Sequence, residues 1–147
     1  MRGFSLLELM IVVAIIVILT IIAVPNYRKF IAKSKRAECY VNLAALATAQ
    51  EMYHAEHGTY TNKLQGPDSL GFAPMGNAVY SYGFAGAPGT NSTVGTGGKG
   101  IAMPSIAQVT TQGFVAAAVA DIDGDGSPDI ITIDQNRVVT VVQDDLK

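Results

Sequence analysis

The feature that most constrains this chain is its amino-terminal apolar run, GFSLLELMIVVAIIVILTIIAVP, residues 3–25. Between Phe4 and Val24 nearly every residue is aliphatic, and Ser5, Glu8 and Thr20 are the exceptions. As a helix the run reaches ~31 Å at ~1.5 Å per residue, long enough to cross a bilayer core. One explanation, a membrane anchor, accounts for the length. Glu8 needs a second. A carboxylate inside an apolar span costs about 2–3 kcal/mol, and such residues are functional by default. The bland alternative is a protonated carboxyl tolerated in an ordinary signal anchor.

The stretch Gly3-Phe4-Ser5-Leu6-Leu7-Glu8 resembles the class III signal of type IV pilins and type II secretion pseudopilins. That pattern is a glycine, an aromatic residue or Met, a small polar residue, two aliphatics and a glutamate. Here an unbroken apolar run and Pro25 follow it. The resemblance implies that a membrane-embedded prepilin peptidase cuts between Gly3 and Phe4, and that the new Phe4 amine is methylated. It also implies that Glu8 pairs with the Phe4 amine of a neighbouring subunit in a filament. The chemistry is consistent at each step. A glycine before the cut lets extended backbone enter a tight site. A neighbour's amine neutralises a carboxylate whose burial alone would be costly.

Residues 1–3 then read as a very short leader with no A-x-A cleavage site, and a start further upstream would supply a longer one. Arg28, Lys29, Lys33, Lys35 and Arg36 all follow the span. A positive-inside count would place the carboxyl side in the cytoplasm. The resemblance implies the opposite, a single-pass inner-membrane precursor with its head outside, and we follow it because the peptidase motif is the more specific signal.

One span leaves room for one small domain. The formal net charge is −2, but six of the ten Lys/Arg lie at or before Arg36 and seven of the twelve Asp/Glu lie after residue 120. A basic stalk under an acidic head implies no nucleic-acid contact by the head. The basic cluster reads as a helix face near lipid headgroups or acidic neighbours, with a solvated face as the alternative. The single cysteine, Cys39, cannot form an intrachain bridge. It reads as a small packing residue, with intermolecular pairing as the lesser option. Many members of the family staple their carboxyl-terminal region with a disulfide, so something else must hold that region here.

The span is rich in β-branched residues, and Pro25 removes the backbone bond to the Ile21 carbonyl. The stretch from about Val17 to Pro25 is therefore the weakest part of the helix, and the resemblance implies that it melts in a filament. After Pro25, Tyr27, Phe30, Ala37, Val41, Ala44, Thr48 and Met52 fall at three- and four-residue steps, the signature of one helix face. Lys33, Lys35, Arg36, Glu38, Gln50 and Glu51 populate other faces. One helix is predicted from about Ser5 to His57, stopped by Gly58. Residues 4–25 form its membrane and filament-core part, and 26–57 form an amphipathic spine. Ala37, Ala44, Ala45, Ala47 and Ala49 would let a sheet approach closely. Tyr27, Phe30, Tyr40 and Tyr53 read as packing aromatics rather than an electron track. His54 and His57 suit a helix carboxyl end better than a metal site.

Residues 58–147 are predicted to form the head. Gly58-Thr59-Tyr60 resembles the turn after the pilin helix, where the Tyr packs the loop onto the helix. Residues 79–85, 113–120, 129–134 and 137–143 alternate as strands, with Gln135-Asn136 making a tight hairpin. The stretch APGTNSTVGTGGKG, 87–100, reads as a flexible surface loop by composition. Its Asn91-Ser92-Thr93 sequon is read as chance. The predicted fold is an α+β ladle: a long helix packed on a small four-stranded antiparallel sheet.

The segment DIDGDGSPD, residues 121–129, is the second informative motif. Carboxylates at 121, 123 and 125, Gly126 for the sharp turn and Asp129 match the first nine positions of an EF-hand-type loop. The last position of such a loop is Thr132 here rather than a bidentate Glu. The predicted calcium ligands are the Asp121, Asp123, Asp125 and Asp129 carboxylates and the Ser127 carbonyl, with a plain acidic β-turn as the alternative. Calcium in this position would replace the missing disulfide.

No nucleophile–base pair, phosphate loop or zinc spacing appears, so no enzyme is predicted. The expected function is a structural subunit of a type IV pilus-like filament. Its partners would be further copies of itself, the prepilin peptidase, the membrane before assembly and the inner-membrane assembly machinery. A periplasmic pseudopilin of a type II secretion system is the alternative within the family. A monomeric, membrane-anchored calcium-binding module is the alternative outside it.

Overall fold

The computed structural model describes residues 3–146. One helix, α1 (Leu6–His57), dominates it. Its 52 residues extend ~78 Å by rise. Ser5 caps the amino end in extended conformation. The Glu8 amide donates to Ser5 Oγ at 3.2 Å and the Ser5 amide donates to Glu8 Oε2 at 2.9 Å, a reciprocal capping box. At the other end Gly58 adopts φ 72° and its amide donates to the His54 carbonyl at 2.8 Å. A left-handed residue closes a helix in this way at least cost when it has no Cβ.

The helix runs through Pro25 without a break. Side chains supply local bonds to the ladder on both sides. Thr20 Oγ1 donates to the Ile16 carbonyl at 2.7 Å and Asn26 Nδ2 to the Ile22 carbonyl at 3.0 Å.

The head carries four antiparallel strands: β1 (Ser81–Gly83), β2 (Val115–Ala120), β3 (Asp129–Asp134) and β4 (Val139–Gln143). They lie in the order β1-β2-β3-β4, so each strand pairs with its neighbour in sequence. Ala118 faces Tyr82 on one side and Ile131 on the other, and Thr132 faces Thr140. The β3–β4 turn places Arg137 at φ 61°, while its amide donates to the Asp134 carbonyl at 2.9 Å. The Asp134 carboxylate accepts from the Asn136 and Val138 amides, both at 2.9 Å, which holds the turn. The predicted α+β architecture is therefore the observed one.

The sheet packs on the second half of α1. Cys39, Leu43, Leu46 and Ala47 meet Tyr80, Tyr82, Ala116, Ala118, Ile131 and Ile133 in one cluster. β2 is the close-approach strand, since its alanines at 116, 118 and 120 leave no room between sheet and helix. Each fully buried leucine contributes about 1.5–3 kcal/mol.

Three expectations about this packing are overturned. The helix face predicted from Tyr27, Phe30, Val41 and Met52 points away from the sheet; Tyr27 is 65% exposed and Phe30 69%. Of the alanines expected to admit the sheet, Ala47 does so, whereas Ala37, Ala44 and Ala45 are exposed. Both sides of the spine carry apolar residues, so periodicity alone could not tell which one the sheet takes. The sheet takes the side on which Asn42 and Gln50 can also be satisfied. Asn42 donates to the Tyr82 hydroxyl and accepts from the Met75 amide, and Gln50 brackets the Thr61 peptide.

The second correction concerns the basic cluster. Lys33 stays exposed, but Lys35 and Arg36 turn into the chain's own head. The third concerns residues 87–100. This stretch lies on the sheet, with Asn91, Ser92, Gly95 and Gly98 buried. It pairs beyond β1 through Phe84 N to Asn91 O at 2.9 Å and Thr93 N to Tyr82 O at 2.8 Å. A Cβ at Gly98 would collide with Ser81 Oγ and lie 2.7 Å from the Val119 carbonyl oxygen. Here Gly95, Gly97 and Gly98 serve close packing, not flexibility. Asn91 spends its side chain internally, donating to the Asn62 carbonyl and accepting from the Ala87 amide, both at 3.1 Å.

Candidate functional site

Two regions carry the predicted functional residues, and they differ in kind. The first is the start of α1. Gly3, Phe4 and Ser5 lie outside the helix, and Phe4 is 87% exposed. The peptide bond between Gly3 and Phe4 therefore lies in open, non-helical backbone. The Ser5–Glu8 box starts the helix just beyond it, because Ser5 uses its side chain to satisfy an amide that the first turn leaves free. Beyond Glu8 the apolar side chains through Val24 are exposed on all sides, and none contributes to the head's core. This half is long and apolar enough to cross a membrane, with a mean hydropathy of 3.1 over its most apolar 18 residues. Pro25 closes it.

The second region is the 121–129 loop and what surrounds it. The loop folds on its own aspartates. Asp121 accepts from the Gly124 and Gly126 amides at 2.6 and 3.0 Å, Asp123 from the Asp125 amide at 3.1 Å, and Asp125 from the Ser127 amide at 2.7 Å. Gly124 and Gly126 sit at φ 88° and 91°, which lets the chain curl tightly enough to bring these side chains together. Lys35 anchors the loop to α1 by donating to the Ile122 carbonyl at 2.7 Å.

The structure brings together Asp121, Asp123 and Asp125 as predicted, but the fourth carboxylate is Asp145 from the carboxyl-terminal tail. One oxygen of each lies within 4.8 Å of the others. Asp129, the predicted fourth ligand, is occupied elsewhere. It is fully buried and accepts from Arg36 Nε at 3.1 Å, from Arg36 Nη2, from the Tyr80 hydroxyl at 2.6 Å and from the Asp145 amide at 3.2 Å. Arg36 Nη2 also reaches Asp144 at 2.6 Å. A signal for this was present in the sequence. Asp129 is in phase with Ile131 and Ile133, so the strand alternation that buries the two isoleucines turns Asp129 towards the helix as well. Asp145 lies 20 residues or more from the loop's aspartates, and no local spacing could have found it.

Burial works against the Arg36 charge, but its bonds to Asp144 and Asp129 more than offset that and keep the guanidinium ionised. Burial pushes the Tyr80 hydroxyl far above its ordinary value, and the Asp129 bond pushes the same way, so Tyr80 stays a donor. Burial likewise raises the Cys39 thiol, with the Asp129 charge adding to it. A buried, protonated cysteine of this kind is a packing residue and offers nothing to a neighbouring chain. Burial raises the Asp145 carboxyl too, against the Ile122 amide that donates to it, and the charges on Asp123, Asp125 and Asp121 raise it further.

At the far end of α1, Tyr60 stacks on His54 at 4.3 Å and tilts against Phe114 at 5.4 Å, which packs the loop onto the helix. His57 stacks instead on Tyr53 at 4.1 Å. The two histidines are thus engaged by different tyrosines.

Comparison with known proteins agrees with this anatomy. Residues 1–24 match the family model of the prokaryotic N-terminal methylation motif. Residues 25–126 match the model described as type IV minor pilin ComP, DNA uptake sequence receptor. The chain is 48% identical over 88 residues to the type IV major pilin protein PilA of Myxococcus xanthus, covering 60% of this chain and 39% of that protein. It is 37% identical over 73 residues to the type II secretion system core protein G of Escherichia coli, half of each chain. It is 42% identical over 73 residues to the type IV wide pilus major component PilA4 of Thermus thermophilus, covering 48% of this chain and 53% of that one. The chain spans about two fifths to one half of the length of these relatives. A long capped apolar helix, an antiparallel sheet laid on its second half and a family match over most of the head agree, and this chain belongs to the type IV minor pilin family that the ComP model describes.

Proposed function

We propose that the chain is a structural subunit of a type IV pilus-like filament, cut between Gly3 and Phe4 by prepilin peptidase and polymerised through α1. The observation that carries this reading is the first half of α1. Its apolar side chains are exposed all round, and its one charge, Glu8, sits in the first turn beside the scissile bond. Lipid covers such a surface in the precursor, and neighbouring helices cover it in a filament. The outward strip of Tyr27, Phe30, Val41 and Met52 extends that surface along the spine. The capping box has a further consequence before assembly, because it keeps the helix from growing back through the cleavage site. After cleavage Glu8 is placed to meet the amine of a neighbour's Phe4.

The charge of this head does not suit the DNA-receptor role that the family's description names. Past His57 its cations are Lys63, Lys99, Arg137 and Lys147, against eight aspartates, and a DNA-binding face needs the reverse balance.

The test is intact-mass analysis of sheared filaments from the native host, together with Glu8→Ala as the sole pilin. The expected mature chain begins at an N-methylated Phe4, and a chain retaining Met1 or Arg2 would sink the reading. Glu8→Ala should insert normally and yield few or no fibres. A normal fibre yield from that variant is incompatible with the pairing role. Electron microscopy of the same material separates long surface fibres from short periplasmic ones.

A further inference from the structure

The carboxyl-terminal tail and the 121–129 loop share a feature that the filament reading does not use. Four carboxylates, on Asp121, Asp123, Asp125 and Asp145, each bring an oxygen within 4.8 Å of the others. The ion pairs among the described residues are Arg36 with Asp129, Arg36 with Asp144 and Arg137 with Glu51, and none includes a member of this cluster, although Arg28 and Lys29 line a small cavity with Asp123 and Asp145. An acidic turn alone would explain the first three, since their oxygens cap amides within the loop.

Asp145 is different. It is 5% exposed, and its Oδ2 accepts from the Ile122 amide at 2.9 Å. Its Oδ1 is buried without a hydrogen-bond partner. Buried polar atoms are almost always satisfied, and one left bare calls for an explanation such as an ion. This oxygen belongs to the residue that completes the cluster.

We propose that Asp121, Asp123, Asp125 and Asp145 hold a hard divalent cation of the calcium class, and that the ion straps the carboxyl-terminal tail to the head. The donor set is all oxygen and carboxylate-rich, with no sulfur or imidazole, which suits calcium, magnesium or manganese. The supporting loop is a glycine-bearing turn that can adjust its oxygens. Calcium tolerates such flexible coordination, whereas magnesium demands near-octahedral geometry and parts with water reluctantly.

The strap follows from what else the tail touches. The Asp145 amide donates to Asp129 Oδ1 at 3.2 Å, and Asp144 accepts from Arg36. The tail therefore closes the partly buried Arg36–Asp129 pair on one side and the ion site on the other. Detaching it removes partners from both. The inference stands independently of whether the chain polymerises.

The experiment uses the full chain in detergent micelles, in calcium and in chelator, for wild type, Asp123→Asn and Asp145→Asn. Thermal unfolding is read beside hydrogen exchange of the Ile122 and Asp145 amides. With calcium at about a hundredfold over its Kd, openings that release the ion become roughly a hundredfold rarer, so these amides should exchange roughly a hundredfold more slowly. The wild-type Tm should rise by several degrees. Both variants should lose both effects. Asp123 lies on the exposed loop, so its variant reports on the site even if Asp145→Asn folds poorly. No calcium effect on wild type would overturn the site, and an equal shift in Asp145→Asn would overturn the role of the tail. A Tm shift without slower tail exchange would overturn the strap. An equal response to magnesium at the same concentration would overturn the assignment to calcium.

Discussion

The two halves of α1 are one continuous helix, yet they put apolar side chains to opposite uses. In residues 6–24 the apolar side chains surround the helix and touch nothing in the head. In the second half the buried set is smaller and more polar: Ala32, Cys39, Asn42, Leu43, Leu46, Ala47 and Gln50. The difference shows that hydrophobicity in this helix does not mark the core of the fold. The most apolar stretch is left exposed, and lipid or other subunits are the proposed cover for it. The head is secured by two leucines, small residues that admit the sheet, and polar groups that each find a designated partner. A charge follows the same division. Glu8 is solvated by its own helix start, while Arg36 is held by the head's Asp129 and Asp144.

The largest expected effect tests that division of charges. Asp129→Ala strips Arg36 and Tyr80 of their shared partner and leaves a partly buried cation with only Asp144. Breaking a buried pair typically costs about 3–5 kcal/mol, and the partial exposure of Arg36 puts the expected loss towards the lower end. That is much of the roughly 5–15 kcal/mol by which a domain is stable. Denaturant unfolding of the full chain in micelles reads it. Glu8→Gln should leave the same unfolding curve unmoved, and a comparable loss there would show that the two halves are energetically coupled.

The next effect compares the two faces of the spine. Leu43→Ala should destabilise the head by about 2–5 kcal/mol, as large-to-small changes in a packed core do. Val41→Ala, on the outward strip, should change head stability by no more than about 0.5 kcal/mol while lowering fibre yield. Equal losses in the two variants would mean that the outward strip is not a free surface.

The smallest effect is at the Arg137–Glu51 bridge, which ties the β3–β4 turn to the exposed side of α1 at 2.8 Å. The Arg137 hydrogen bond holds the Glu51 carboxyl below its ordinary value. A group lowered on folding adds stability above its unfolded pKa, and that contribution fades as the pH falls through the folded value. The Tm difference between wild type and Glu51→Gln should thus be slight near neutrality and vanish in acid. It should also shrink with added salt, as exposed pairs do. A difference that persists in acid would assign the effect to packing instead of charge.

Much of the fold is legible in the residues. The helix was expected from Ser5 and runs from Leu6, because a cap and a terminal glycine are local chemistry. β3 has its predicted bounds, 129–134, since its alternation and the flanking turns are local too. The outer strands are shorter than alternation suggests: β1 keeps three residues of the predicted seven because the chain around it turns to meet the 87–100 stretch. That stretch shows where composition misleads. Glycine permits both mobility and close approach, and only the neighbour decides between them. Gly98 against Ser81 and Val119 is a packing contact that no reading of GTGGKG could contain.

What the sequence determines alone is whatever depends on nearby residues. This covers the N-terminal methylation motif around Gly3, Phe4 and Glu8, the long apolar helix, its stop at Gly58, and an acidic loop whose aspartates turn back on one another. What only the tertiary structure decides is which of two apolar faces of the spine meets the sheet, and which aspartate joins the loop. Asp129 and Asp145 carry the same carboxylate, and Asp129 has the better spacing. The sheet register carries Asp129 inward to Arg36, and the tail returns to set Asp145 beside the loop. A carboxylate's role is set by the charges and donors within a few ångströms of it, and in a folded chain those come from residues far away in sequence.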